Sequence, residues 1–464
     1  MKKNRTVKII SGCLATVVML VLVLGCITNI FERKASRNKF EEFYQQDMDF
    51  DVLFLGTSHV DGGISPMDMW EQNGIVGYNM ATPGCRIATA YWVIRNALQY
   101  TEPKLIVLDC AYLLDHKANS NINYMHRVFD SMPFSNVKVE ALLDLYDEKE
   151  DILRFLFPFS LYHNRWNELT KSDLFFTPQY GKMGINPGCD VVNAEIPKVM
   201  ADEAVAIDNI STQYLESIIE LCREEEMDLL LTFIPFLASE SSQNDAAYLR
   251  VLANQHGIAY LDPVQLLELL NLKTDFINNN DDNSHVNLSG AHKISYYLGN
   301  FIQEHYQIPD RREDPAYQQW HRYYEQYAAY KQVLLHGQES INPYLVAAAD
   351  KNYTIVLQIE NWDILADDMA VNLLCNLGID PEELHEKKDC LIVNGSEETE
   401  FTITRDTEGN PICLQDNTHI YSWGNTSKDA DVFVLVVNKE DMQIVDAAAF
   451  LLEQESNVFN RIIE

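Results

Sequence analysis

The stretch Asp51–Val60, DVLFLGTSHV, decides how this chain is read. Four apolar residues, Val52 to Leu55, run straight into Gly-Thr-Ser-His. A short, continuous apolar run is what a strand buried on both faces requires. When such a strand ends on small polar residues, it presents them at the rim of the sheet, where open α/β sheets bind ligands. Similar runs recur at Gly74–Ala81 (GIVGYNMA), Lys104–Asp109 (KLIVLD), Asp228–Phe236 (DLLLTFIPF) and Gly257–Asp262 (GIAYLD). Between them, apolar residues three and four apart predict helices over Thr89–Tyr100, Thr212–Glu225, Asp245–Gln255 and Ser289–Gln303. Strands alternating with helices predict an α/β three-layer sandwich around a mostly parallel sheet. One helix is marked at both ends. Ser65 is the expected N-cap, Pro66 the first helical residue, Asp68 the capping-box acid and Gly74 the residue past the end.

Working outward, the α/β domain is expected over 51–308, with an insertion at about 111–208, because the connection after Cys110 is too long for a simple crossover. A tyrosine-rich polar stretch at 309–340 is expected to be a helical bridge. Beyond it the pattern changes to short strand-like runs such as YTIVLQIE and CLIVNG, so 341–464 is expected to be a smaller β-rich C-terminal domain. NKEDMQ, between two strand-like runs, reads as a hairpin.

Toward the N-terminus, Ile9–Phe31 is an uncharged run of 23 residues, long enough for one transmembrane helix. Residues 1–31 are therefore expected to be a short tail and membrane anchor, and 32–50 a linker. A cleaved signal peptide and a lipoprotein-like reading of Val23–Cys26 (VLGC) remain open. Four cationic residues flank each end of the run, so the positive-inside rule gives no orientation. A short tail before a long domain reads as a signal anchor, which places the large domain outside a plasma membrane crossed once. A cytosol-facing domain is the alternative.

Of the 464 residues 47% are apolar, enough for real cores, and the net charge is −34. Residues 1–40 hold eight Lys/Arg and a single acid, Glu32, so the rest of the chain is more acidic still. That excludes binding nucleic acid through a basic face. Nine cysteines are present without a C-x-x-C pair, which argues for buried thiols rather than zinc or a disulfide framework. No cofactor or metal is expected.

Ser58 needs a base to act as a nucleophile, because a free hydroxyl is weak. A second stretch, DDNSHVNLSGAHKIS, offers His285, with Asp282 three residues before it and Asp281 as the rival carboxylate. A carboxylate at that spacing can fold back on the imidazole and fix its tautomer. The plainer readings are that Ser58 and His285 are helix caps and that Asp282 lies in a solvated loop.

GTS after a strand and DNSH before the last helix of the α/β domain resemble the first and last blocks of the SGNH, or GDSL-like, hydrolases. That resemblance implies a catalytic triad of Ser58, Asp282 and His285, and an oxyanion hole from the backbone N–H groups of Ser58 and of Gly84 in YNMATPGC. The chain departs from the family pattern at Thr57, where an aspartate is usual, and after KLIVLD, where the asparagine of the third block is not recognisable. Asp109 and Cys110 stand near that position. The anchor and GTSH are also similar to bacterial surface proteins that act beside membrane O-acyltransferases. The implied activity is a serine esterase or O-acyltransferase working on acyl groups of cell-envelope glycans. The alternative is a weak or inactive relative that serves as a binding or assembly partner of such an acyltransferase.

Four further residues are candidates for substrate binding: His59, Arg86, His163 and Trp166. Each has a plainer reading. For His59 it is a supporting role, because a neighbour in an extended segment points away from the nucleophile. For Arg86 it is a helix surface, and for His163 and Trp166 it is packing.

Overall fold

The structure is a computed structural model. It describes residues 2–461 except 33–37, 47, 112, 114–120, 175–181, 198–208, 238–239, 278–284, 388–389, 396–401, 406–410, 416–419, 423–429 and 453–459.

The chain begins with a long helix, α1 (Lys2–Phe31), followed by α2 (Asn38–Gln45). The α/β part follows as β1 (Val52–Leu55), α3 (Ser58–Gly63), α4 (Pro66–Asn73), β2 (Gly77–Asn79), α5 (Ile87–Ala97) and β3 (Leu105–Asp109). The insertion carries α6 (Ile122–Phe129), α7 (Asn136–Leu145), α8 (Lys149–Leu156), α9 (Phe159–Tyr162) and α10 (Lys171–Leu174). Then come α11 (Ile210–Glu224), β4 (Asp228–Thr232), α12 (Glu240–His256), β5 (Ala259–Leu261), α13 (Pro263–Leu269) and α14 (Leu288–His305).

β1 to β5 form one parallel sheet in the order β2-β1-β3-β4-β5. Each strand is too short to hold the sheet alone, so burial on both faces supplies the stability. Side chains alternate between two cores. Leu53, Leu55, Ile106, Leu108 and Leu231 join one face with Ile94 and Ile218 from α5 and α11. Val52, Phe54, Val107 and Leu230 join the other with Ile294 and Leu298 from α14. The strand order reverses between β1 and β3, the place where doubly wound sheets open a crevice at the carboxyl ends of their strands.

Ser65 caps α4 by accepting from the Asp68 N–H at 3.3 Å, and Gly74 ends the helix at φ 68°. The Asp68 side chain does not complete a capping box. It turns to His292 on α14, whose Nδ1 lies 2.7 Å from Oδ2. A buried ring nitrogen competes for that carboxylate better than an N–H near a helix end. Within the stretch expected as a linker, α2 forms, with Phe40 and Phe43 in the core, because NKFEEFYQ carries its aromatics on one helical face.

A bridging helix, α15 (Gln319–His336), leads to α16 (Ile341–Ala348) and a separate β-rich region. This contains β6 (Tyr353–Ile359), α17 (Asp368–Asn376), α18 (Pro381–Glu386), β7 (Leu391–Val393), β8 (Thr402–Arg405), β9 (Pro411–Gln415), β10 (Ile420–Ser422), β11 (Val432–Asn438), β12 (Ile444–Phe450) and β13 (Asn460–Arg461). Its sheets are antiparallel, one of five strands ordered β13-β12-β11-β6-β7 and one of three ordered β10-β9-β8. The NKEDMQ turn joins β11 to β12, as expected of a hairpin.

Ile10–Phe31 in α1 is long and apolar enough to cross a membrane, with a mean hydropathy of 2.6, and residues 10–27 are exposed.

Candidate active site

The site forms where β1 ends. Gly56 takes φ 154°, and a Cβ there would come within 2.5 Å of the Asp109 Cβ at the end of β3, so only glycine allows the two strand ends to approach. Thr57 is the N-cap of α3, its hydroxyl accepting from the His59 N–H at 3.3 Å. The cap is thus Thr57, which leaves the Ser58 hydroxyl for another partner. That partner is His285, whose Nε2 lies 2.7 Å from Ser58 Oγ across 227 residues of chain. A contact this short between a serine hydroxyl and an imidazole nitrogen is the geometry for removing the serine proton.

Backbone pairing holds the loop that carries His285. The Ile277 N–H donates to the His285 carbonyl at 2.9 Å, and Val286 bridges to Phe276. Asn287 caps α14 through Gly290 N–H, and its own amide donates to the Thr274 carbonyl at 3.1 Å. The end of the insertion braces the same loop: Leu288 N–H donates to Gly188 O at 2.8 Å and Val192 N–H to Phe276 O at 2.9 Å. Asp281 and Asp282 lie outside the described residues, so the third member of the expected triad has no position here.

His59 is in helix α3, not in an extended segment, and so does not simply point away from the nucleophile. It is buried, stacked on Phe236 with ring centroids 5.1 Å apart, and its ring lies 4.9 Å from that of His285. Neither of its ring nitrogens has a hydrogen-bond partner among the described residues. Burial, and then the neighbouring His285, push its pKa down to about 3, so it is neutral at physiological pH.

Asp109 ends β3 at the β1/β3 switch point. Its carboxylate accepts from Thr57 Oγ1 at 3.3 Å and from the Ile234 N–H at 3.1 Å. Burial pushes its pKa up to about 6, against the pull of those donors. The sequence placed Asp109 near the third-block position but did not show that it would contact Thr57 in the turn after β1. The signal was its place at the end of KLIVLD, the strand that pairs with β1.

Gly84 lies in the turn after β2 at φ 68°, where glycine is at no disadvantage, and Arg86 is the N-cap residue of α5 just beyond it. His163 and Trp166 sit elsewhere, on the exposed side of the insertion beside the end of α1. There His163 Nδ1 meets the Ser160 carbonyl at 2.8 Å and Trp166 is 72% exposed.

No protein-family model matches the chain, and no curated protein matches it. Among solved structures it is similar to one described as a "putative acylhydrolase" from Bacteroides fragilis, at 13% identity and a TM-score of 0.29. That match covers 59% of this chain and 98% of the other.

Proposed function

We propose that this protein is a membrane-anchored serine esterase or O-acyltransferase of the SGNH type. The observation that carries the reading is the 2.7 Å contact between Ser58 Oγ and His285 Nε2 at the carboxyl end of a parallel sheet. In the proposed reaction Ser58 Oγ attacks the ester carbonyl carbon while its proton passes to His285 Nε2. The carbon–oxygen bond to the leaving alcohol breaks, and His285 returns the proton to that alcohol, leaving acyl-Ser58. Water or a second hydroxyl then attacks the acyl carbon, with His285 again taking and returning the proton. The backbone N–H groups of Ser58 and Gly84 would hold the oxyanion, Asp282 would orient His285, and no cofactor enters. His59 and Arg86 are proposed to line the substrate cleft. The substrate class is an acyl ester of a cell-envelope glycan, and the span in α1 holds the catalytic domain at the plasma membrane, on its outer side.

One observation favours a second reading, a weakly active partner of a membrane O-acyltransferase. At the end of β3, where the SGNH pattern places an asparagine donor, Asp109 accepts hydrogen bonds instead. Losing one oxyanion donor costs about 3 kcal/mol in other enzymes.

The test is acyl transfer by the full chain in detergent. It is given a chromogenic acetyl ester and an acetylated glycan, with and without an acceptor glycan, beside Ser58→Ala. Turnover by the parent alone supports the enzyme, and the acceptor's share of product separates transfer from hydrolysis. Equal, background turnover in both supports the partner reading.

A further inference from the structure

The insertion exposes several large apolar side chains in the segment that α1 contacts. Along α1, residues 10–27 are exposed, and burial begins at Thr28 where the helix meets α9 and α10. The Phe31 ring packs edge-on to Phe159, with centroids 5.9 Å apart, and Arg165 donates to the Phe31 carbonyl. The same short stretch exposes Leu153 (53%), Phe157 (59%), Trp166 (72%) and Leu174 (59%). Four large apolar side chains on one small helical cluster are more than scattered surface residues. Their neighbours single out the partner: α9 and α10 contact the end of α1, where the apolar span ends. Tryptophan and phenylalanine at that level favour the boundary between headgroups and acyl chains. The charges of α8 nearly cancel, with Arg154 paired to Glu150 and Asp151 and Lys149 beside Glu148, so the contact is apolar.

A second, independent observation sets how close the domain sits. Six residues, 32–37, join the span to α2, a reach of about 20 Å at full extension. α2 starts at the catalytic rim. Lys39 Nζ lies 2.5 Å from Asp61, three residues after Ser58, and 3.0 Å from Asn79 Oδ1 at the end of β2. The helix then runs down to the opposite edge of the sheet, where Tyr44 accepts from Asn96 at 3.0 Å. The chain therefore leaves the membrane at the rim that carries Ser58.

From the exposed cluster and the short tether we infer that the face formed by α8, α9 and α10 rests on the lipid bilayer and turns the Ser58 rim toward it. The inference rests on the proposed anchor, and it narrows the substrate to acyl groups presented at the membrane surface. Trp166 is the depth gauge.

The experiment places the full chain in phosphatidylcholine vesicles whose acyl chains carry bromine, and reads tryptophan emission against unbrominated vesicles. The parent should be quenched, and W166F should lose that quenching. W362F, in the C-terminal region, should keep it. Trp166 is exposed, so its replacement leaves the fold intact. Equal quenching in the parent and W166F overturns the inference. So does a failure of the chain to float with vesicles, or a cross-linked second copy found covering Phe157 and Leu174. Fluorophosphonate labelling of the same samples keeps the two readings apart. Labelled Ser58 without Trp166 quenching sinks the docking face alone, and Trp166 quenching without labelling sinks the enzyme alone.

Discussion

At the scale of the residue, the proposed chemistry rests on which hydroxyl caps the helix after β1. Thr57 takes that role, so Ser58 is left to His285. Replacing His285 with alanine should lower turnover roughly 10²–10⁴-fold, the usual worth of a positioned base, without changing the thermal midpoint by more than a few degrees. His59 also bears on stability. Its folded pKa is depressed, to about 3, below the ordinary value of 6.5. The stability it contributes is therefore present above pH 6.5 and is lost as pH falls toward 3. His59→Phe keeps a ring against Phe236 and removes the titration. Urea unfolding should show the parent losing about 2 kcal/mol more than the variant between pH 6.5 and roughly pH 5. Asp109 has the opposite sign. Its pKa is raised from 3.8 to about 6, so its contribution is present below pH 3.8 and lost as pH rises through 6. Asp109→Asn should thus gain on the parent as pH rises across that window, measured by the same unfolding series.

Elements explain what the sequence could and could not show. β1, β3 and β4 were legible because strands buried on both faces must be continuously apolar, and α4 because Ser65, Pro66 and Gly74 mark its ends. From GTSH and DNSH the sequence singled out Ser58 and His285, and the structure brings these two side chains together, while Asp282 lies outside the described residues. Three features were not legible. The helix through His59 was hidden because six residues give no periodicity to read. The partner of Asp68 was hidden because it comes from α14, more than two hundred residues away. The packing of α2 depends on Tyr78 and Phe50 meeting Phe43, contacts that no local pattern announces. At Gly74 the element makes a sharp demand, since a Cβ would stand 1.8 Å from Asp310 Oδ1 and φ is 68°. Gly74→Ala should destabilise by more than the 1–2 kcal/mol that the left-handed conformation alone costs, as read by chemical unfolding.

Over the whole molecule, the α/β part and the β-rich part are tied by buried polar groups around α15. Tyr327 on α15 accepts from Ser65 at 3.0 Å and faces Asp68, while Lys331 one turn on pairs with Asp350 just before β6. Burial alone would push the Lys331 ammonium down and the Asp350 carboxyl up. Their mutual attraction outweighs this and keeps both charged, Lys331 well above and Asp350 below its ordinary value. Lys331→Met leaves Asp350 buried and unpaired, and should cost about 3–5 kcal/mol in an equilibrium unfolding measurement. Through these contacts the C-terminal region is braced to α4, and α4 packs on α14, the helix that His285 precedes.

If Ser58 is a nucleophile activated by His285, it should react with a fluorophosphonate. The full chain, Ser58→Ala and His285→Ala would be labelled side by side at neutral pH and the adduct mapped by peptide mass. An adduct on Ser58 is expected in the parent and in neither variant. An intact, folded parent that takes no label, or one that labels equally without His285, would contradict it.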